Sequence, residues 1–336
     1  MSLLISPRAI MKHKKTISMV LRIGLSITLL ILLFRLIDSQ GFMQLFTRMS
    51  PSLFIVGAVL YLLAVILSAF RWQLVLRADG VRVRFRHLTE INLVGMLFTN
   101  FLPTAVGGDV ARMYEFSRQS GQNTQAVSTV LLDRMFGLIS LVVMAVIALA
   151  AGYRYAGERA VLVVVVAVVI GFVIFWVLFF NKGFVRKFIW VFKLPILSRF
   201  ELHARALYNS MFGLKHQRGL VISAIIVSLL LQGTEVISAV FIARSLNIEI
   251  STVYFFIFLP MIWLVTMIPL SLNGLGIREG AFTFFFGQVG VLPAEAVALS
   301  LLIYSCRLFV GVLGGIIFFL RTFNASRLNH KTIASD

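Results

Sequence analysis

The chain has 336 residues, 60% of them apolar and 13% charged, with a formal net charge of +18. Apolar runs of about 20 residues, enough to cross a bilayer, recur along its whole length and exclude an ordinary water-soluble domain. One cysteine, Cys306, excludes an intramolecular disulfide and a cysteine metal cluster, and the five histidines lie in polar segments, so neither a metal nor a cofactor is expected.

In chain order, Arg8, Lys12, Lys14 and Lys15 precede an apolar stretch over residues 17–37. No small-residue cleavage site follows it, so a retained first helix is expected rather than a signal peptide. A short connection leads to a second span over 53–70. Residues 71–90, with Arg71, Arg77, Arg82, Arg84 and Arg86, read as a strongly cationic loop. Residues 91–112 form a broken apolar segment, followed by a polar stretch over 113–125. Further spans are expected over 126–151, which carries Asp133 and Arg134, and over 160–180. The longest polar region, 181–219, is rich in Lys and Arg, and its aromatic residues predict an interfacial amphipathic helix in part of it. Spans over 220–243, which contains Glu235, and 253–269 lead into a second broken segment. A short apolar run over 282–291 and a last span over 294–320, with Cys306 and Arg307 near its middle, complete the chain. The 31 phenylalanines are most simply lipid-facing surface.

Cationic connections alternate with nearly neutral ones, the positive-inside pattern. The excess positive charge is therefore explained by membrane orientation and not by nucleic-acid binding. Both termini, residues 71–90 and residues 181–219 are placed in the cytoplasm, which requires an even number of crossings. Seven helices are clear, so one broken segment is expected to cross and the other to be re-entrant. The expected fold is an all-α polytopic membrane protein of about seven to eight transmembrane helices with two Gly/Pro-broken segments, as a single domain over residues 1–336.

The two broken segments carry the motifs. The first reads Asn100-Phe-Leu-Pro-Thr-Ala-Val-Gly-Gly-Asp-Val-Ala-Arg112, the second Pro269-Leu-Ser-Leu-Asn-Gly-Leu-Gly-Ile-Arg-Glu-Gly280. In each, an arginine follows a proline by nine positions, with glycines between. Interrupted apolar segments in matching places of two halves point to a transporter's binding site. Arg134-Met-Phe136 and Arg307-Leu-Phe309 add a further pair, and the repeat halves would be 17–151 and 160–320.

Such an alignment brings Arg112, Arg134, Arg278 and Arg307 near one centre, with Asp109, Asp133, Glu279 and Glu235. A lone arginine near the bilayer centre costs about 3 kcal/mol on translocon scales. Two explanations are open. Each arginine could pair locally: Arg112 with Asp109, Arg134 with Asp133 or an acid on another helix, Arg278 with Glu279. Alternatively, the arginines line a cavity and hold an anionic headgroup, since guanidinium matches phosphate oxygens two at a time. Gly107 and Gly108 in the first motif, and Gly274 to Gly276 in the second, would then present backbone N–H groups to the same anion. No histidine lies in a span and the outward connections carry few acids, so no catalytic constellation is found and enzymatic activity is not expected.

These motifs, with Asp133-Arg134 at the head of the following helix, resemble the lysylphosphatidylglycerol synthase transmembrane region, also called the flippase-like or UPF0104 family. The resemblance spans roughly residues 21–320. In the synthases that name the family, this region is a flippase module followed by a soluble aminoacyl-transferase domain. The present sequence ends about 16 residues after its last expected helix, so the flippase-like module alone is implied. The matching polar positions are Asp109, Arg112, Asp133, Arg134, Arg278 and Glu279. Where the second motif often begins Pro-Gly-Gly, this chain has Ser271-Leu-Asn273, which departs from the pattern at Asn273 beside Gly274.

The expected function is translocation or binding of an anionic phospholipid or lipid-linked phosphate in a bacterial inner membrane. The alternatives are an integral membrane transferase using a lipid-linked donor and an accessory scaffold in envelope lipid or polysaccharide biogenesis.

Overall fold

The computed structural model describes residues 39–101, 107–151, 217–267 and 271–333, together with isolated helical positions at 24, 27, 28, 31, 32, 35, 170 and 171. Most of the expected first helix over 17–37, the span over 160–180 apart from 170 and 171, the cationic region up to residue 216, Pro103 and Pro269 lie outside the described residues.

Nine α-helices are described: α1 (Ser39–Thr47), α2 (Pro51–Ala78), α3 (Phe85–Phe101), α4 (Gly107–Ser120), α5 (Asn123–Ala151), α6 (Arg218–Ser245), α7 (Thr252–Thr266), α8 (Ile277–Gly287) and α9 (Pro293–Ile333), with a 3-10 turn at Leu272–Gly274. Among the described residues there is no strand, and α2, α5, α6 and α9 are long and apolar enough to cross a membrane. The protein is thus an all-α polytopic membrane protein. Helices are the natural outcome, because a bilayer offers no water to satisfy backbone N–H and C=O groups.

Contacts at the helix ends fix the sense of each element. Ser50 N–H donates to the Ser245 carbonyl at 2.8 Å, and Asn247 Nδ2 donates to the Arg48 carbonyl at 3.3 Å. The start of α2 and the end of α6 therefore share one face. On the other face, Gln217 Nε2 donates to the Ala78 carbonyl at 2.8 Å, and Arg321 of α9 pairs with Glu90 of α3. This second face is the basic one, with Arg77, Arg82, Arg84 and Arg86 exposed on it.

The broken segments are both helical hairpins. In the first, α3 and α4 run antiparallel, with Gly95 against the Arg112 side chain and Gly108 against Thr99. In the second, α7 and α8 run antiparallel, with Phe255 against Phe286 at 5.1 Å between ring centroids and Phe258 against Phe285 at 5.7 Å. The arms have 17 and 14 residues in one hairpin and 15 and 11 in the other. At 1.5 Å per residue the longest reaches about 25 Å, short of a hydrocarbon core of about 30 Å. The expectation that one broken segment crosses is corrected here: each returns to the face it left, the first to the basic face and the second to the opposite one. The order helix, hairpin, helix thus occurs as α2 to α5 and again, with opposite sense, as α6 to α9.

Two further expectations change. Residues 71–78 are not loop but the last two turns of α2, and Arg71 to Leu76 are all buried. The polar stretch after Arg112 continues α4 to Ser120. Nor is the phenylalanine content all lipid-facing: Phe255, Phe258, Phe282, Phe285 and Phe286 form the buried centre of the second hairpin, whereas Phe101, Phe309 and Phe319 are exposed. The ring pairs add aromatic contact to apolar burial.

The first hairpin lies along α9. A Cβ on Gly314 would overlap the backbone of Leu93, and one on Gly311 would overlap the Asn100 side chain, so small residues on α9 let the two backbones approach closely.

Two predictions follow from this packing. With Cys306 buried as the background, Arg82→Cys and Gln122→Cys should react with a membrane-impermeant maleimide from one side. Glu249→Cys and Leu292→Cys should react only from the other. Labelling of Gln122→Cys together with Glu249→Cys would mean that the first hairpin crosses. Gly314→Ala should lower stability by about 1–3 kcal/mol through overpacking, read as a fall in the unfolding midpoint in detergent, while Gly233→Ala, which meets nothing within 4 Å, should not.

Candidate functional site

Asp133 on α5 is 1% exposed at its side chain and takes a different arginine on each oxygen. Oδ1 accepts from Arg71 Nε at 2.7 Å, and Oδ2 accepts from Arg112 Nη2 at 3.1 Å. Arg112 also stands 3.7 Å from Asp109, one turn earlier on α4, and Asp109 in turn pairs with Arg134 of α5. The result is a continuous row of alternating charge, Arg71–Asp133–Arg112–Asp109–Arg134, running from the interior to the Arg134 side chain, which is 34% exposed. Three cations face two anions, so the row carries one surplus positive charge.

Neighbouring helices hold the row in place. Arg71 reaches Ser228 of α6 at 3.4 Å and lies against Gly137, where a larger residue would displace it. The Arg112 guanidinium sits 4.3 Å from the centroid of the Trp72 ring, a favourable cation–π placement in a desolvated setting.

A second cluster stands at the start of α8. Glu279 is fully buried, accepts the Gly276 backbone N–H at 2.7 Å and pairs with Arg278 at 2.5 Å. Arg278 Nε also donates to Ser300 Oγ at 3.1 Å, and its guanidinium lies 4.1 Å from the Tyr304 ring centroid. The chain can turn back here because Gly274 and Gly276 adopt φ of +76° and +83°, beside Asn273 at +51°.

The two hairpin tips meet. Asn273 Nδ2 donates to the Asn100 carbonyl at 2.9 Å, and Asn100 Nδ2 donates to the Arg307 carbonyl, midway along α9, at 3.1 Å. At this junction, Asn100 Oδ1, Arg307 Nε and Ser271 Oγ are buried with no hydrogen-bond partner among the described residues, and Arg112 Nε and Gln232 Oε1 are left unpaired elsewhere in the interior. Buried polar atoms are nearly always paired, and groups left over are normally met by water or a ligand.

Of the residues singled out in the sequence, Asp109, Arg112, Asp133 and Arg134 come together in one row, Arg278 and Glu279 pair in a second cluster, and Arg307 lies under the tips with no ion pair among the described residues. Arg134 is matched not by its neighbour Asp133 but by Asp109 on the facing helix. Gly107 and Gly108 are buried at the start of α4, where Gly108 serves close packing on Thr99. The Gly276 N–H is already taken by Glu279, and Asn273 serves as the bridge between hairpins. Arg71 was missed. Its signal was available in the apolar run Trp72 to Leu76 after it, with only Gln73 interrupting, which extends the span past the first charge. A basic cleft of about 750 Å³, lined by Gln73, Arg77, Arg82, Val83, Arg84 and Phe85, opens nearby on the basic face.

Residues 19–315 match the family model described as the lysylphosphatidylglycerol synthase TM region. The chain belongs to that family. It is 26% identical over 306 residues to a UPF0104 membrane protein of Methanothermobacter thermautotrophicus, covering 86% of this chain and 89% of the relative. It is 22% identical over 324 residues to a UPF0104 membrane protein of Pyrococcus horikoshii, covering 88% and 95%. No solved structure matches the chain. For this member of the TM-region family, the motif arginines are thus each set against a carboxylate or an aromatic ring among the described residues, except Arg307.

Removing one partner of a buried ion pair leaves an uncompensated charge and costs about 3–5 kcal/mol. Asp133→Asn, which strips the counter-charge from two arginines at once, should show a loss of that size in chemical unfolding in detergent. Arg134→Gln, partly exposed, should cost about 1 kcal/mol or less.

Proposed function

We propose that this chain binds a membrane lipid by its phosphate-bearing headgroup and carries it across the bilayer. One observation carries the proposal: two oppositely directed hairpins meet tip to tip at the middle of α9, and the buried, unpartnered Nε of Arg307 lies at the junction. Transporters with inverted repeats hold substrate at the midplane between interrupted helices, and their alternating access comes from one unit rocking against the other. The two opposite-sense units, α2 to α5 and α6 to α9, are on this view such a repeat. Arginine suits the task because its planar fork meets two phosphate oxygens and keeps its charge when desolvated.

The partner is an anionic phospholipid or a lipid-linked phosphate. Arg307 and Arg134 are its first ligands, with Arg112, Arg278, Asp109, Asp133, Glu279 and the glycine and asparagine positions of the two motifs shaping the site. On this reading the positive-inside rule makes the basic face cytoplasmic, and the protein belongs to an inner membrane with both termini on the cytoplasmic side. Binding and movement need no bond to be made or broken, so no catalytic role is assigned.

Proteoliposomes containing an acyl-labelled fluorescent phosphatidylglycerol, with an impermeant reductant outside, measure exchange between leaflets. Wild type should accelerate exchange of this lipid over labelled phosphatidylcholine. Arg307→Gln should slow it about tenfold or more, the equivalent of losing a charged hydrogen bond of about 1.5–3 kcal/mol, while the protein remains monodisperse. Equal exchange of both lipids, or wild-type rates in Arg307→Gln, would overturn the assignment.

A further inference from the structure

Glu235, in the middle of α6, makes no hydrogen bond or ion pair among the described residues, although the other carboxylates of this interior each hold an arginine. The charges acting on it are those of Arg71 on α2 and Arg307 on α9. Tyr61 of α2 stands within the same field, in electrostatic range of Glu235 and Arg307 and of Cys306 on α9 and Arg278 on α8. Of the remaining helices packed against α6, α5 brings Asp133, already held by Arg71 and Arg112, and α7 brings only Tyr254, stacked on Phe258 toward the far end of its helix. One turn before Glu235, Gln232 donates to the Gly137 carbonyl but leaves its own Oε1 unmatched. Among the described residues, a half-buried carboxylate on α6 and a buried guanidinium nitrogen on α9 thus lie within range of one another, each without a direct partner.

Charge accounting gives this arrangement a use. Among the described residues, this interior has five arginines, Arg71, Arg112, Arg134, Arg278 and Arg307, and four carboxylates, Asp109, Asp133, Glu235 and Glu279. Three of those carboxylates are tied to arginines by short contacts and cannot let go without stranding a buried charge. Glu235 is free to do so. A phosphate monoanion entering against an ionised Glu235 would place two like charges in a medium where they repel strongly.

Building on the lipid-translocation reading above, we propose that Glu235 carries a proton in step with the headgroup. As the phosphate takes Arg307, a hydronium from the loading face gives its proton to a Glu235 oxygen, forming the O–H bond and leaving water. The carboxylate's charge is replaced by the phosphate's, so the total in the interior is unchanged. When the phosphate leaves on the other side, Glu235 returns its proton to water there. One proton and one monoanion cross together, and the cycle is electrically silent. A transmembrane proton gradient then supplies direction without a nucleotide.

The test uses the full chain in phosphatidylcholine vesicles with labelled phosphatidylglycerol and a trapped pH-sensitive dye. Wild-type exchange should rise on mild acidification of the loading side, by up to about tenfold per pH unit for a single proton, and lipid movement down its gradient should acidify the receiving compartment. Glu235→Gln, fixed in the neutral form, should still exchange lipid but show a flat pH profile and no dye signal, and Glu235→Asp should restore both. Wild-type lipid exchange that is indifferent to pH and moves no proton overturns the coupling while leaving translocation intact, as does a pH-dependent Glu235→Gln variant. A wild-type protein that moves no lipid overturns both.

Discussion

The two arginines that share Asp133 hold this structure together. In a bilayer, a charged side chain has no solvent to fall back on, so it must be met by protein, and the meeting dictates which helices touch. Asp133 on α5 receives Arg71 from α2 and Arg112 from α4, and Arg71 touches Ser228 on α6. Four helices are drawn to one point by contacts that apolar surfaces, indifferent to which lipid-like neighbour they meet, could not specify. Net stabilisation from such a cluster is modest once desolvation is counted. Its larger effect is to choose one arrangement among many of similar apolar contact.

Given that point, the hairpins have a defined place. The first is held by Arg112 and Asp109 near its returning arm and by α9 along its entering arm. The second is held by stacked phenylalanine rings and by the Arg278–Glu279–Ser300 cluster. The two are therefore packed by different physics although they share an outline. One relies on charge and close backbone approach, the other on aromatic bulk. Where their tips touch, the contact is one asparagine side chain on one carbonyl, beside the unmatched Asn100 Oδ1, Ser271 Oγ and Arg307 Nε.

The long apolar runs, the two interruptions and the set of motif arginines could all be read from the sequence, because each leaves a local mark: uninterrupted apolar length, a cluster of Gly and Pro, a charge where charge is expensive. Family membership followed from the same motifs. What could not be read was which carboxylate each arginine would choose. Arg134 passes over the adjacent Asp133 for Asp109, a decision made by the angle between α4 and α5. Arg71 was assigned to a loop because a charge usually ends a span; its carboxylate partner lies 62 positions away on another helix. Whether a broken segment crosses or turns back is likewise settled by antiparallel pairing, such as Gly108 on Thr99 and Phe255 on Phe286, and periodicity along one strand of sequence carries no trace of it.

The glycines on α9 have a consequence of their own. Gly311, Gly314 and Gly315 bring the α3 backbone so close that Leu97 and the Phe98–Phe318 ring pair lock the seam in register. Asn100 on the Arg307 carbonyl and Glu90 on Arg321 clamp its two ends. The entering arm of the first hairpin and α9 therefore form one stiff slat, and relative movement within the protein falls to other seams.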